Sequence, residues 1–196
     1  MVKAIQERLG LTQDGIAGPK TLAAIYEKIC GTQEEPKRES LILVDERSAR
    51  CISTLHVVLQ GLAKKFLEQC NQKNLGVKII CGTRTYEEQA LLYSKGRTTG
   101  GAKVTNAGPG QSMHNFGLAF DIGIFTEDGK YLPESSNYYA AGKIGFELGL
   151  DWGGYFKSFK DEPHFEIRPE WAIGKSNSAM LAELRRRKEV GTDALV

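Results

Sequence analysis

Between residues 119 and 124 the side chains alternate strictly, Phe120, Ile122 and Ile124 against Ala119, Asp121 and Gly123. A period of two marks a half-buried strand whose Phe/Ile/Ile face turns to a core. Phe165 and Ile167 repeat the pattern and leave His164 and Glu166 on the opposite face. A third strand is predicted over the apolar run Val77–Cys81, which stops at Gly82. Helical spacing dominates elsewhere. Ile52, Leu55, Leu59, Leu62 and Phe66 form one stripe, predicting a helix from about Asp45 to Gln72. Thr85 and Glu88 have the form of a capping box opening a helix through Tyr93. Further helices are predicted over Tyr138 to Leu148 and Ser176 to Val190. The second ends in the basic run Arg185 to Lys188, read as a solvated face, and the last six residues are expected to fray. Asp128-Gly129 marks a hairpin-like turn. Trp152, Tyr155, Phe156 and Phe159 are read mainly as core.

The first thirty residues have a pattern of their own. Val2, Ile5 and Leu9 recur at helical spacing, Asp14 to Pro19 interrupts it, and Thr21 to Ile29 resumes it, with Pro19 suited to a first helical turn. A polar stretch follows, without large apolar residues. The predicted organisation is a short helical module over 1–31, a linker over 32–40, a main domain over 41–175 and a C-terminal helix and tail over 176–196. The fold class is α+β, a small central antiparallel sheet flanked by helices, with the short helical module in front.

Composition narrows the function by exclusion. The 196 residues carry a net charge of only +2, with no basic stripe interleaved with aromatics, so nucleic acid is not expected as a partner. Cys30, Cys51, Cys70 and Cys81 form no C-x-x-C pair, which indicates neither a disulfide scaffold nor a cysteine zinc site; reduced, mostly buried thiols are expected. The opening Met-Val-Lys-Ala-Ile-Gln-Glu-Arg has no apolar run suited to a signal peptide, and nowhere are there about 18 consecutive apolar residues to span a bilayer. A monomeric chain made in the cytoplasm, without membrane insertion, is expected.

Chemistry concentrates in two stretches, Ser112 to Asp121 and Asp161 to Glu166, which hold two of the three histidines. Zinc favours imidazole and carboxylate donors, and a catalytic site keeps three protein ligands with a fourth position open. His114, Asp121 and His164 supply that set. Asp121 and His164 would share one side of the sheet, and the glycines at 110 and 117 let a loop bring His114 back over Asp121. His56, alone in a helix, reads as a packed or surface residue. Asp161, Glu162 and Glu166 are all near enough to His164 in sequence to act as a base. The glycine-rich segment 97–111 lacks the strand and lysine-serine pair of a phosphate cradle and reads as a lip of the cleft. No Gly-x-Ser-x-Gly elbow or catalytic cysteine signature is present.

The pattern Ser-x-His-x-x-Gly-x-Ala-x-Asp at 112–121, followed by Asp-x-Pro-His-Phe-Glu at 161–166, resembles the zinc peptidases of peptidoglycan. That family includes D-alanyl-D-alanine carboxypeptidases, vancomycin-resistance dipeptidases and the L-alanyl-D-glutamate endopeptidases of phage endolysins. Asp45-Glu-Arg-Ser, Gly82-Thr-Arg-Thr, Gly96-Arg-Thr98, Val104-Thr-Asn-Ala107 and Trp152-Gly-Gly154 resemble the endolysin-like branch, over roughly residues 40 to 170. Leu9-Gly, Asp14-Gly15 and Gly18-Pro-Lys-Thr21 are similar to a shortened peptidoglycan-binding module. The resemblance implies one zinc ion as cofactor, peptidoglycan stem peptides as partner, and cell-wall action, which for a chain made without a signal peptide requires an exit such as a phage holin. It further implies Asp161, three residues before the last histidine ligand, as general base, and Arg84 and Ser112 as substrate-orienting groups. Cleavage between L-alanine and D-glutamate is the expected reaction. D-alanyl-D-alanine carboxypeptidase activity, or a zinc- or wall-binding module that no longer cleaves, are the alternatives.

Overall fold

In a computed structural model of the chain, residues 2–17, 21, 24–25, 44–157 and 159–196 are described. The chain divides into two compact units, 1–42 and 43–196. In the first, helix α1 (Val2–Arg8) carries Gln6, buried although polar. Its amide is fully used: the two Nε2 hydrogens are shared among Asp14 Oδ1 (2.6 Å), the Ile16 carbonyl (3.0 Å) and Thr21 Oγ1 (3.0 Å), and Oε1 accepts from Gly15 N (2.9 Å). A buried amide satisfied in this way fixes the turn after the helix. The predicted helix over 21–29 and the linker over 32–40 lie largely outside the described residues.

The second unit is built on a four-stranded antiparallel sheet of β1 (Val77–Cys81), β2 (Ala119–Ile124), β3 (Asp151–Trp152) and β4 (His164–Glu166), in the order β1-β2-β4-β3. As the alternation predicts, Phe120, Ile122, Ile124 and Phe165 are fully buried. They face helix α3 (Val57–Gln72), whose Phe66 ring meets Phe165 at 4.8 Å and Phe120 at 5.6 Å. Helix α2 (Glu46–Ser53) closes the outer edge. Asp45 caps it, accepting from Ser48 N (3.1 Å), and Ser48 Oγ takes the Ile79 N–H (2.9 Å), a donor that β1 would otherwise leave unpaired. Helix α4 (Tyr86–Ser94) opens with the expected Thr85–Glu88 capping box. Helices α5 (Asn137–Glu147) and α6 (Asn177–Val190) complete the unit.

The structure corrects four expectations. The long helix over 45–72 is broken into α2 and α3 at residues 54–56, because the His56 N–H leaves the helical ladder to donate to the Gly117 carbonyl (2.9 Å) while His56 Nδ1 caps α3, accepting from Val58 N (3.3 Å). The apolar stripe survives the break, since Ile52, Leu55, Leu59 and Phe66 are all buried. The basic run is only in part a solvated face: Arg186 and Lys188 are exposed, but Arg185 Nη1 donates to the Gly110 carbonyl (2.9 Å), Lys188 Nζ to the Asn115 carbonyl (2.7 Å), and Arg187 lies over the Trp171 ring at 4.6 Å. The tail is not frayed: Asp193 pairs with His56 (3.1 Å) and the Ala194 carbonyl accepts from Trp171 Nε1 (3.0 Å). Of the aromatic group, Trp152 alone is core; Tyr155 and Phe159 are exposed and Phe156 is half-buried.

Candidate metal centre

Strand pairing does most of the assembly. Asp121 on β2 lies opposite His164 on β4, so both side chains rise from one face of the sheet. His114 comes from a 3₁₀ turn (Met113–Phe116) that ends at Gly117, whose φ of +71° is the left-handed conformation that glycine adopts without penalty. That turn folds the imidazole over Asp121, as the glycine spacing suggested.

Three donor atoms converge. His114 Nε2 is 3.0 Å from Asp121 Oδ1, His164 Nδ1 is 3.1 Å from the same oxygen, and the two nitrogens are 3.2 Å apart. The opposite nitrogen of each ring is committed: His114 Nδ1 donates to the Gly82 carbonyl (2.8 Å), and His164 Nε2 to Glu166 Oε2 (2.9 Å). Each neutral ring therefore points its lone pair at the shared apex, next to a carboxylate oxygen. Both rings are almost sealed, at 2% and 8% exposure. Zinc–ligand distances of about 2.0–2.2 Å set tetrahedral donor separations of roughly 3.3–3.5 Å, close to the triangle found. Anchoring of the distal nitrogen by a carbonyl or carboxylate is the usual support of a metal-bound histidine. The donor set fits a zinc ion.

The electrostatics favour positive charge at this cluster. Burial alone would lower the pKa of His164, but its hydrogen bonds to Asp121 and Glu166 outweigh burial and push it up to about 10. His114 is raised in the same way by Asp121. Asp121 is driven well below the carboxylate range against its burial, by the charges and hydrogen bonds of the two imidazoles. Two lone pairs and a carboxylate facing each other demand a positive charge, and a proton or a metal can supply it.

Arg84 takes the second oxygen of Asp121. Its Nη2 donates to Oδ2 (2.9 Å), its Nη1 to Gln89 Oε1 (2.9 Å), and Nε and Nη2 both approach Cys81 Sγ at 3.4 Å. Asp121 is thereby held with Oδ1 toward the histidines. The sequence reading took Cys81 only as a reduced thiol at the end of a strand, yet its sulfur, His114 and Asp121 offer donor atoms all within 4.8 Å of one another. Its Sγ lies 3.9 Å from His114 Nδ1, the nitrogen already bonded to Gly82, so it sits beside the ring and not at the converging edge. Cys81 reaches this place because the β1–β2 register shifts after Ile79 and sets it opposite Asp121. Burial would raise its pKa, but His114 and Arg84 outweigh this and lower it. Cys51 and Cys81 are half-buried free thiols and Cys70 is the fully buried one.

Asp161 stands at the rim. Its carboxyl pKa is raised first by burial, and it lies within electrostatic reach of His164, Asp121, His114 and Arg84. The turn that holds it is tight: His164 N donates to the Asp161 carbonyl (3.1 Å), and a Cβ on Gly153 would lie 2.3 Å from that oxygen. Glu162 is exposed, and Glu166 is spent on His164. Ser112 precedes the 3₁₀ turn with its hydroxyl free of any cap bond. His56 is separate from the centre.

With fold and cluster in view, the chain belongs to the D-alanyl-D-alanine carboxypeptidase family of peptidoglycan peptidases. The model described as D-alanyl-D-alanine carboxypeptidase matches residues 105–167, and a peptidoglycan binding domain model matches residues 1–25. The chain is 36% identical over 126 residues to the peptidoglycan L-alanyl-D-glutamate endopeptidase CwlK of Bacillus subtilis, covering 60% of this chain and 75% of that protein. Among solved structures, the Serratia marcescens L-Ala D-Glu endopeptidase ChiX matches with a TM-score of 0.47 and 22% identity, covering 63% of this chain and 87% of that one. DacB, an L,D-carboxypeptidase from Streptococcus pneumonia, matches with a TM-score of 0.46 and 21% identity, covering 71% of this chain and 78% of that one. Among the described residues no helix is long and apolar enough to cross a membrane.

Proposed function

We propose that this chain is a zinc-dependent peptidase that cuts peptidoglycan stem peptides between L-alanine and D-glutamate, acting at the cell wall. The observation that carries the reading is the triangle of His114 Nε2, Asp121 Oδ1 and His164 Nδ1, with both distal nitrogens anchored. The likeness to CwlK supports the choice of bond. A zinc ion held there supplies a Lewis acid for the scissile carbonyl and lowers the pKa of a water to about 7.

The remaining work falls to the chain. Asp161 takes the proton of the attacking water and returns it to the leaving amine; its burial-raised pKa makes it a stronger base than an exposed aspartate. Arg84 holds Asp121 in place, and by count of its five N–H groups one Nη1 hydrogen is left to meet a substrate oxygen. The uncapped Ser112 hydroxyl bonds the peptide backbone. Glu166 keeps the His164 proton on Nε2 and so leaves Nδ1 for the metal. Residues 1–25 serve as a wall contact.

The test is digestion of purified peptidoglycan by zinc-loaded protein, with and without chelator, and identification of the new termini by mass spectrometry. Chelator-sensitive appearance of glutamyl amino termini is expected. Release of D-alanine would replace this reading with the carboxypeptidase that the family description names. Absence of any cleavage by zinc-loaded protein would refute a peptidase.

A further inference from the structure

We propose that an aromatic shelf at the β3 edge of the sheet, tied to the turn that carries Asp161, binds sugar rings of the glycan strand that carries the stem peptide, so that the protein grips its polymer at two places. The proposal rests on the function inferred above, since that substrate brings saccharide and peptide to the surface as one molecule.

Single exposed apolar residues are ordinary on a protein surface, but clusters are not. Tyr139 (51% exposed) and Phe146 (64%) on α5, and Tyr155 (52%) just after β3, form one such cluster. Its base is the buried indole of Trp152, which meets Tyr139 at 5.8 Å and Tyr155 at 4.8 Å, and Tyr155 in turn meets Phe146 at 6.1 Å. All three contacts are edge-on, an arrangement that leaves the exposed Phe146 and Tyr155 rings facing different directions, while Lys143 Nζ stands over one face of Tyr139.

The shelf is rigid and joined to the centre. A Cβ at Gly142 or Gly154 would come within 2.4 or 2.3 Å of the Trp152 ring, so the indole is clamped between two glycines. Trp152 Nε1 donates to the Glu162 carbonyl (2.7 Å), in the turn that carries Asp161. Phe156, the residue after Tyr155, has its ring 5.9 Å from that of His164. Trp152 thus ties the shelf to the turn that carries Asp161, while its indole lies with Phe165 on the core face of the sheet, opposite the face of His164.

Its chemistry suits a pyranose. A sugar ring offers a face of C–H bonds, which pack on the electron-rich face of an aromatic ring, and a rim of hydroxyl and acetamido groups. Here the hydroxyl groups of the exposed Tyr139 and Tyr155, and Lys143, whose Nζ stands 4.8 Å from the Tyr139 ring centre, supply polar partners for that rim. Because the glycan is covalently joined to the peptide, weak stacking at the shelf is converted into intramolecular binding once the peptide enters the site.

Two substrates separate the contributions: intact sacculi, and a soluble stem peptide without sugar. For the zinc-loaded full chain, Phe146→Ala and Tyr155→Ala should each raise the KM for sacculi about tenfold while cleavage of the soluble peptide stays within about twofold. In a direct binding measurement, an N-acetylglucosamine tetrasaccharide should perturb the tryptophan fluorescence of the wild-type protein and not of Tyr155→Ala. Equal losses on both substrates would make the shelf a structural support and overturn the proposal, as would unchanged KM on sacculi. Self-association of the wild type that Phe146→Ala abolishes, with sacculi kinetics unaltered, would assign the surface to a second copy instead. If the wild type fails to cut the soluble peptide, the proposed function falls; saccharide binding by the wild type and its loss in Tyr155→Ala still decide the shelf independently.

Discussion

Two histidine–carboxylate pairings occupy different regions of this molecule. At the centre of the sheet, His114 and His164 share Asp121 at 3.0 and 3.1 Å; at the junction of α2 and α3, His56 meets Asp193 at the same 3.1 Å. Distance does not separate them. What differs is the other nitrogen of each ring. His114 and His164 spend the outward nitrogen on Gly82 and Glu166, leaving both inward nitrogens converged on the one oxygen of Asp121. His56 spends Nδ1 on the Val58 N–H and Nε2 on Asp193, so nothing is left over. A metal site is recognised by the lone pairs that the fold refuses to satisfy internally.

The sharpest way to break this contrast is to remove one histidine from each region. His114→Ala or His164→Ala should abolish stoichiometric zinc binding and with it all cleavage, whereas His56→Ala should retain one zinc per chain; metal analysis of the purified variants reads both. Zinc retained without His114 would sink the assigned ligand set. Asp161→Asn comes next in size. It removes the proposed base without touching a donor atom, so zinc content should stay at one per chain while kcat falls by about 10²–10⁴-fold. Full activity in that variant would pass the role of base to another group. Glu166→Gln is smaller again. It weakens the acceptor on His164 Nε2, and zinc affinity should fall about 10- to 100-fold, measured by competition with a chelator.

The centre was more legible in the sequence than the junction, and the reason is the range of the interactions. Alternation along β2 and β4 told which face Asp121 and His164 share, while their direct pairing is a matter of register that only the fold supplies. Thr85 and Glu88 cap within a single turn, so the capping box could be read locally. Glu166 was visible on the same strand face as His164, but its action on Nε2 depends on ring orientation, which spacing does not carry. Cys81 was missed because it reaches the site through a register shift in β1. Arg84 was expected to meet substrate, while its bond to Asp121 joins residues 37 apart in sequence. The break at His56, the docking of Arg185 and Lys188, and the pinned tail all use backbone carbonyls distant in the chain, at Gly117, Gly110, Asn115 and Ala194. A backbone carbonyl is the same group at every position, so nothing in the residue pattern marks those as acceptors.

The smallest effect expected is at the junction itself, and pH gives its sign. Asp193 is held below its ordinary pKa of 3.8 by the Leu195 N–H first and by His56 second. A carboxyl with a lowered folded pKa stabilises the fold above its unfolded value, and that contribution disappears as pH falls through the folded value. The tail should therefore stay latched at neutral pH and loosen below about pH 4. Trp171 reports the change, since its indole N–H donates to the Ala194 carbonyl, one residue past Asp193. His56→Ala should show the loosened fluorescence already at neutral pH, with a loss of stability on the order of 1 kcal/mol from the missing cap and exposed pair together. An unchanged signal in that variant would mean that Arg187, which lies over Trp171 and donates to the Asp193 carbonyl (2.9 Å), holds the tail without help from the histidine.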